Sequence, residues 1–158
     1  MTTTNHALTG AAIAVIVKKP WLALPLAFLS HFFCDAIPHF GIGMEFGSLA
    51  MYTWLLVDGL IALGFAIFLI KMKVKSPVLL AISGFVAMSP DLAWLYYGIQ
   101  QKLGHFVVLD PISHFHKMIQ WYQHVPGIFV ELIWASLMLF IILRFGRESY
   151  QNSSSSKA

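Results

Sequence analysis

Cysteine and charge are both scarce in this sequence. Cys34 is the single cysteine, which excludes an intrachain disulfide and any CxxC metal or redox motif. Charged residues make up 11% of the chain and hydrophobic residues 58%, whereas about 25% of an ordinary soluble domain is charged. The HExxH helix of metalloproteases and the Gly-x-Ser-x-Gly elbow of serine hydrolases are also missing. The composition therefore predicts a small integral membrane protein without the best-known hydrolase motifs.

The basic residues lie in short clusters beside apolar runs. The formal net charge of +3 therefore indicates membrane topology, and no nucleic-acid partner is expected. No Lys or Arg precedes the first apolar run, so the charged start of a cleavable signal peptide is missing. We expect that run to belong to the mature protein.

Apolar runs predict an all-α integral membrane protein with about four transmembrane helices. A hydrocarbon core is about 30 Å thick, and a helix needs about 20 residues to cross it. Four runs reach or approach that length: about 21–37, 49–70, 78–97 and 126–143. Residues 1–148 are expected to form one helical membrane domain, and the serine-rich residues 149–158 a disordered polar tail.

A short helix is expected before the first span. It runs from about His6 to Val17, with Thr4 or Asn5 as its cap, and is too short to cross a membrane. The basic turn 18–20 should fold it back antiparallel on the first span, with Gly10 allowing close approach to a neighbour.

Two further features interrupt the spans. Ser89-Pro90-Asp91 lies inside the third span, where proline removes a helical hydrogen bond and predicts a kink. The polar connection 98–125 contains a short predicted helix over 113–123, whose aromatic residues suit the outer membrane interface.

These spans place most basic residues on one side of the membrane. Eight Lys or Arg face one side and two face the other, so the first side is predicted to be cytoplasmic, together with the C-terminus. The protein is expected in the inner or plasma membrane. The eight are Lys18, Lys19, Lys71, Lys73, Lys75, Arg144, Arg147 and Lys157, and the two are Lys102 and Lys117.

Histidines and carboxylates concentrate in the outer half of this topology. His31 and Asp35 are four residues apart, so they share one helix face. The antiparallel hairpin places His6 at the depth of His31, and the break at Pro90 turns Asp91 toward a cavity. Imidazoles and carboxylates at membrane depth are costly unless they are paired or bind a cation, so they indicate a functional site.

Neutral imidazoles and carboxylates are the usual protein ligands of zinc and other borderline divalent ions. We therefore predict a site for one or two divalent ions, with zinc favoured. A nearby carboxylate, Glu131 or Asp58, could act as general base or orient a ligand histidine. The predicted ligands are His6, His31, Asp35, His39, Asp91 and His116.

Some of these residues also have a plainer interpretation. His31 and Asp35 could simply hydrogen-bond to each other and hold two helices together. Asp58 or Glu131 could likewise pair with a histidine across the bundle.

The outer connection contains four histidines with different expectations. His114 and His116 lie about 200° apart on a helix, so one of them should point inward, and His116 is favoured. His124, at a helix junction, is either a ligand or an interface anchor. His105 lies in a loop and is expected to be solvated.

Four short stretches carry a family resemblance: Asn5-His6-Ala7-Leu8-Thr9-Gly10, His31-x3-Asp35-x2-Pro38-His39, Ser89-Pro90-Asp91 and His114-Phe115-His116-Lys117. Together they resemble the membrane-bound metal-dependent hydrolases of bacterial and archaeal inner membranes. That family is similar to the zinc-dependent phospholipase C and nuclease group of helical metalloenzymes. The chain departs from it at Leu92-Ala93-Trp94, where the family's Pro-Asp pair is usually followed by an acid and a histidine.

The resemblance implies a membrane-embedded, divalent-metal-dependent hydrolase. Its expected substrate is a phosphoester or lipid-linked molecule at the outer face, with membrane lipid as its partner. The alternative is a non-catalytic membrane protein that binds or transports metal, or that binds haem between paired histidines. A transport pathway would need polar groups in both halves of the membrane, and the inner half has almost none.

Overall fold

The computed structural model describes residues 1–41, 48–74 and 76–155, with side chains described up to Gly146. Within these residues, regular structure is helical apart from one isolated bridge between His39 and Gln123. The predicted all-helical class is therefore confirmed. The helices are α1 (Thr3–Val17), α2 (Pro20–Ala36), α3 (Leu49–Lys71), α4 (Pro77–Met88), α5 (Leu92–Lys102), α6 (Pro111–Ile119) and α7 (Gly127–Ser155), with a 3₁₀ turn at Ser89–Asp91.

A tight turn joins α1 to α2. Lys18 adopts the left-handed conformation, with φ of 59°, and its N–H bonds to the carbonyl of Ala14 to close α1. Pro20 occupies the first turn of α2, where its missing N–H has no helical partner to lose. This turn reverses the chain and stacks the His6 ring on the His31 ring, with centroids 3.9 Å apart. The predicted antiparallel hairpin is confirmed.

The start of α1 differs from the prediction. The helix begins at Thr3, and its N-cap is Thr2 rather than Thr4 or Asn5. The Thr2 side chain makes no capping hydrogen bond. Carboxylates from α3 and α7 accept the first N–H groups instead, so this cap is a tertiary contact that local capping rules do not reveal.

Among the residues that the structure describes, three helical segments are long and apolar enough to cross a membrane. They are Leu49–Lys71, Pro77–Lys102 and Gly127–Gly146, and they correspond to the predicted spans 49–70, 78–97 and 126–143. Large apolar side chains such as Leu63 and Ile133 stay exposed on them, as expected of surfaces that contact lipid. The predicted span 21–37 corresponds to α2, whose 17 residues rise about 26 Å against a core of about 30 Å.

The predicted interruption of the third span is confirmed by the 3₁₀ turn, which separates α4 from α5. The predicted helix over 113–123 is displaced. The observed α6 starts at Pro111, because the Asp110 carboxylate caps it by accepting the N–H groups of Ile112 and Ser113 at 2.9 and 3.1 Å. After Ile119 the chain is extended enough to bridge with residues 39–41.

Helix α1 packs centrally against α2, α3, α4 and α7. A Cβ on Gly10 would lie 2.2 Å from the Ser83 carbonyl oxygen, so only glycine permits this distance between α1 and α4. The predicted close approach at Gly10 is confirmed. The apolar core includes Leu8 and Val15 of α1 and Ile142 of α7. The fold therefore fixes the start of α1 firmly against its neighbours.

Some predictions fall on residues outside the described part of the chain. They are the cytoplasmic placement of the charged side chains of Lys75, Arg147 and Lys157, and the prediction for part of the tail 149–158.

Candidate metal centre

Four side chains from three parts of the chain converge at one end of the bundle. His31 and Asp35 come from the last turns of α2, Asp91 from the 3₁₀ turn and His116 from α6. One ligand atom from each lies within 4.8 Å of the others. The side chains of His31, Asp35 and His116 are buried, while 24% of the Asp91 side chain remains exposed. We call these four residues the His/Asp cluster.

Asp35 occupies the centre of the His/Asp cluster. Its Oδ2 lies 2.5 Å from His116 Nε2 and 3.3 Å from His31 Nε2, which confirms that His31 and Asp35 share a helix face. The two histidine Nε2 atoms are 3.0 Å apart. Asp91 is more distant, with Oδ1 3.6 Å from His31 Nε2 and 3.9 Å from His116 Nε2. The break at Pro90 therefore points Asp91 at the cluster, as predicted.

His6 lies against the His/Asp cluster from α1. Its Nε2 is 3.1 Å from Asp35 Oδ1 and 4.0 Å from Asp91 Oδ2. Its Nδ1 is buried without a hydrogen-bond partner among the described residues. The Met1 backbone nitrogen also contacts Asp35 Oδ1. The expected meeting of His6 with His31, Asp35 and Asp91 is thus confirmed, while its role as a metal ligand stays a prediction.

A backbone hydrogen bond orients His31. Its Nδ1–H donates to the Ala87 carbonyl at 2.8 Å, because a carbonyl oxygen can only accept. The neutral ring therefore presents an unprotonated Nε2 to the cluster. Metal-binding histidines usually donate their other ring N–H to an acceptor in this way.

Two further side chains belong to this site and were missed in the sequence. Gln120 Nε2 lies 2.9 Å from both Asp35 Oδ2 and His116 Nε2. It follows His116 by four residues, a spacing that could have indicated it. Trp94 Nε1 lies 3.2 Å from His116 Nδ1. No sequence spacing pointed to Trp94, because α5 and α6 meet only through the tertiary fold.

Trp94 determines which nitrogen of His116 carries the proton. An indole N–H can only donate, so His116 Nδ1 must accept. The proton of the neutral ring is then on Nε2, which donates to Asp35 Oδ2, and the Gln120 amide donates to the same carboxylate oxygen rather than to Nε2. An ion bound at His116 Nε2 would displace that proton and place an N–H on Nδ1, opposite the Trp94 N–H.

Glu131, on α7, holds the beginning of the chain. Its carboxylate accepts hydrogen bonds from the Thr2 backbone N–H at 3.0 Å, from the Thr2 hydroxyl at 2.5 Å and from Asn5 Nδ2 at 2.8 Å. The Phe40 N–H donates to the same carboxylate at 3.3 Å. Glu131 thereby links α7, the start of α1 and the segment after α2.

Asp58, on α3, holds the first turn of α1. Its carboxylate accepts the N–H groups of Thr3 at 2.5 Å and Thr4 at 3.2 Å, and the Thr4 hydroxyl at 2.6 Å. Negative charge at this position complements the positive end of the helix dipole. Asp58 and Glu131 together set the position of His6 on α1. Their predicted catalytic roles stay predictions.

His39 is buried in the segment that follows α2, and it is not one of the four members of the His/Asp cluster. Its Nδ1–H donates to the Ile37 carbonyl at 2.8 Å, and burial lowers its pKa. Its backbone pairs with Tyr122 and His124. Gly127 is required there, since a Cβ would lie 2.1 Å from the His39 carbonyl carbon. His39 as a metal ligand stays a prediction.

The histidines of the outer connection differ in burial and in hydrogen bonding. His116 is buried and His114 is exposed, as the helical spacing predicted. His105 is exposed, also as predicted, and its Nδ1 lies 2.5 Å from Gln100 Oε1. His124 Nδ1 accepts the Gly127 N–H at 2.9 Å, so this ring caps the start of α7.

Asp110 supports the position of His116 from the start of α6. The Ser113 hydroxyl donates to its Oδ2 at 2.6 Å, and so does the Tyr97 hydroxyl at 2.6 Å. These hydrogen bonds hold the pKa of Asp110 below its usual range. The carboxylate therefore remains ionised and keeps α6 capped and tied to α5.

A cavity of about 670 Å³ opens beside the His/Asp cluster. Asp91, Asp58 and Gln120 line it, together with faces of α3 and α5 and the connection after α5. The cluster is therefore accessible from this cavity through Asp91, its most exposed member.

The donor set fits a divalent ion. Two imidazoles and two carboxylates are within the range that zinc and similar borderline ions accept, and one histidine already has its Nδ1–H bonded to a carbonyl. No protein family, curated protein or solved structure matches this chain. The chemistry of the His/Asp cluster is therefore the main guide to function.

Proposed function

We propose that this protein is a membrane-embedded, divalent-metal-dependent hydrolase that acts on a phosphoester or lipid-linked substrate. The observation that carries the proposal is the convergence of His31, Asp35, Asp91 and His116 within 4.8 Å beside a cavity. The family resemblance of the four sequence stretches supports the same activity. Zinc is the favoured ion, with one or two ions per site.

A divalent ion held by these four residues would supply Lewis acidity, which polarises a phosphoester oxygen and makes water more acidic. In the hydrolysis, the water oxygen bonds to phosphorus and the bond from phosphorus to the alcohol oxygen breaks. One proton of the water goes to the leaving alkoxide, and the other passes to a carboxylate. Asp58 is the candidate acceptor because it lines the same cavity as Asp91. Glu131 is the second candidate, through its contacts at the start of α1.

The proposed location is the inner or plasma membrane, with four spans and the His/Asp cluster toward the outer face. Support comes from the two ends of the bundle. Val15, Val74 and Gly146 meet at the end near the basic residues Lys18 and Lys71. The His/Asp cluster lies at the opposite end of α1. Basic residues favour the cytoplasmic side, so the C-terminus would be cytoplasmic. In this proposal α2 is the fourth span.

The haem alternative is less well supported. His6 and His31 stack with an interplanar angle of 22° and centroids 3.9 Å apart. Two axial haem ligands must instead point at each other from opposite faces of the macrocycle. A non-catalytic metal-binding protein is the remaining alternative, and the experiment below separates it from a hydrolase.

Metal analysis of detergent-purified protein tests the proposal. We expect about one or two zinc ions per chain in the wild type and a loss of zinc in a His31→Ala/Asp35→Ala double variant. A His105→Ala/His114→Ala double variant is the matched control, because both of its rings are exposed. Zinc far below one ion per chain in the wild type would overturn the metal site.

Hydrolysis of bis(p-nitrophenyl) phosphate by the zinc-loaded protein tests the activity. The double variant in the cluster should lose it and the control should retain it. Full zinc content in the wild type without hydrolysis of this phosphodiester or of a phospholipid would instead favour the non-catalytic alternative.

A further inference from the structure

A second cavity, of about 260 Å³, lies at the end of the bundle opposite the His/Asp cluster. The end of α1, the start of α4 and the α7 residues 145–146 surround it. It shares no lining residue with the cavity beside the cluster. Its lining consists of Ala14, Val15, Lys18, Ser76, Leu79, Leu80, Phe145 and Gly146.

The directions of two helices order this lining from polar to apolar. Helix α1 runs toward this end of the bundle, so Lys18 lies about one turn beyond Ala14. Helix α4 runs the other way, toward the His/Asp cluster, so Leu79 and Leu80 lie about one turn deeper than Ser76. The ammonium and the hydroxyl are therefore at the end of the bundle, and the aliphatic side chains lie farther in.

The charge at this cavity is positive. Among the described residues that line it, Lys18 is the one cation and none is acidic. Lys18 has a fixed backbone, because its left-handed conformation closes α1. The exposed Lys19, Lys71 and Lys73 belong to the same two turns, and the positive end of the α4 dipole adds to their field. An ammonium is an effective partner for a phosphate.

The cavity lies at the end of two segments that are long and apolar enough to cross a membrane, Pro77–Lys102 and Gly127–Gly146. Spans of this kind end where lipid headgroups meet hydrocarbon. Basic residues at that level attract anionic lipids. A soluble phosphate would leave Leu79 and Phe145 uncovered, whereas a phospholipid would cover them with the hydrocarbon next to its headgroup.

We propose that this cavity binds the headgroup of an anionic phospholipid, with the phosphate at Lys18 and the adjoining hydrocarbon against Leu79 and Phe145. Sites that enclose a whole ligand usually measure about 300–1,000 Å³. This cavity is smaller, so the acyl chains extend into the bilayer. The lipid is a bound partner and not a substrate, because the 15 residues of α1, a rise of about 22 Å, separate this cavity from the His/Asp cluster.

Native mass spectrometry of the detergent-purified, chelator-treated protein tests the inference. The probe is dioleoyl-phosphatidylglycerol, which should bind with one high-affinity molecule per chain and at least about tenfold more tightly than dioleoyl-phosphatidylcholine. Lys18→Asn should weaken phosphatidylglycerol binding at least about tenfold, because a charge-assisted hydrogen bond is lost. Asparagine tolerates the left-handed conformation of this position, so the turn is kept.

Lys73→Asn is the matched control. Lys73 is exposed at the same end of the bundle and also has a left-handed backbone, with φ of 54°, but it is not part of the lining. Its replacement should leave the affinity for phosphatidylglycerol unchanged. An equal loss in the two variants would show that the lipid follows the general charge of this end, and it would overturn the cavity site. Equal binding of the two lipids by the wild type would overturn it as well.

Two further variants and a competitor test the apolar part of the cavity. Leu79→Trp fills it and should abolish the high-affinity binding, whereas Val78→Trp alters a neighbouring side chain that is 68% exposed and should not. Gel filtration verifies that each variant is folded. Wild-type binding by Leu79→Trp would contradict the proposed hydrocarbon contact. Displacement of the lipid by an equal concentration of glycerol phosphate would show that the ligand is a soluble phosphate and would overturn the lipid.

This lipid site and the proposed hydrolase can fail independently. The His31→Ala/Asp35→Ala variant should still bind phosphatidylglycerol, and loss of binding in it would place the lipid at the His/Asp cluster and overturn the inference. Lys18→Asn should keep the zinc content and the hydrolysis of bis(p-nitrophenyl) phosphate. Lipid binding that depends on Lys18, in a protein that holds no zinc, would support this site while the hydrolase fails.

Discussion

Replacing Trp94 with phenylalanine should tighten zinc binding. In the structure, the Trp94 N–H donates to His116 Nδ1 at 3.2 Å, which keeps the proton of the neutral His116 ring on Nε2. Zinc binding at Nε2 requires the opposite arrangement, with the proton on Nδ1. The wild-type protein must therefore lose the Trp94 hydrogen bond before His116 can become a ligand, whereas Trp94→Phe has no such bond to lose.

The size of the effect follows from that hydrogen bond. A neutral hydrogen bond contributes about 0.5–1.5 kcal/mol, which corresponds to a factor of about 2–13 in the dissociation constant at 25 °C. We therefore expect Trp94→Phe to bind zinc about 2- to 13-fold more tightly. Competition with a chromogenic zinc chelator at fixed pH measures the constant directly.

A matched control removes the same group elsewhere. Trp134 Nε1 donates to the Thr9 hydroxyl at 2.9 Å, outside the His/Asp cluster, so Trp134→Phe should leave zinc affinity unchanged. His116→Ala should weaken zinc binding strongly. Weaker zinc binding in Trp94→Phe than in wild type, or an equal gain in Trp134→Phe, would refute the proposed proton arrangement.

Other changes test the supports of the site. Gly10→Ala should lower the free energy of unfolding by about 1–3 kcal/mol, because the added Cβ forces α1 away from α4. Gly64→Ala is the control: its Cβ meets nothing within 4 Å, so the change should be neutral or stabilising. Thermal unfolding in detergent compares the two variants. Asp58→Ala and Glu131→Ala should each cost about 1–3 kcal/mol because buried donors at the start of α1 lose their acceptor. Unchanged stability in both would contradict the capping role. The lowered pKa of Asp110 means that its contribution to stability is complete above the usual carboxyl range and is lost only as the pH falls through the lowered value. The protection of α6 amides from hydrogen exchange, relative to their intrinsic rates, should therefore fall in Asp110→Ala at neutral pH, and in the wild type only in strong acid.

Local spacing was enough to predict much of the site. The two-residue turn after α1 sets His6 and His31 at one depth, and the spacing of four residues sets Asp35 beside His31. Helical geometry also separated the inward His116 from the outward His114. These predictions succeeded because they depend on one helix or one short turn.

Contacts between distant helices were not predictable in the same way. The carboxylates that cap α1 come from α3 and α7, and Trp94 reaches His116 from another helix. A single sequence gives no spacing rule for such pairs. The predicted start of α6 at residue 113 was wrong for a local reason. The Asp110-Pro111 pair is itself a signal for a helix start, because Asp favours the N-cap and Pro the first helical position. The metal, the reaction and the orientation in the membrane stay proposals that the experiments above test.

The wide spacing of the His/Asp cluster along the chain constrains how the protein is made. Asp35 and His116 are 81 residues apart, and ribosomes add about 5–20 residues per second, so Asp35 waits about 4–16 s for His116. Until then Asp35 can pair with His6 and His31 of its own hairpin, but its Oδ2 still lacks the hydrogen bonds from His116 and Gln120, and an incompletely paired carboxylate in a membrane segment is costly. The newly made α1–α2 hairpin is therefore best kept near the hydrated surface until α6 emerges. Final insertion of its polar end would then be a late step of biogenesis, set by the arrival of His116.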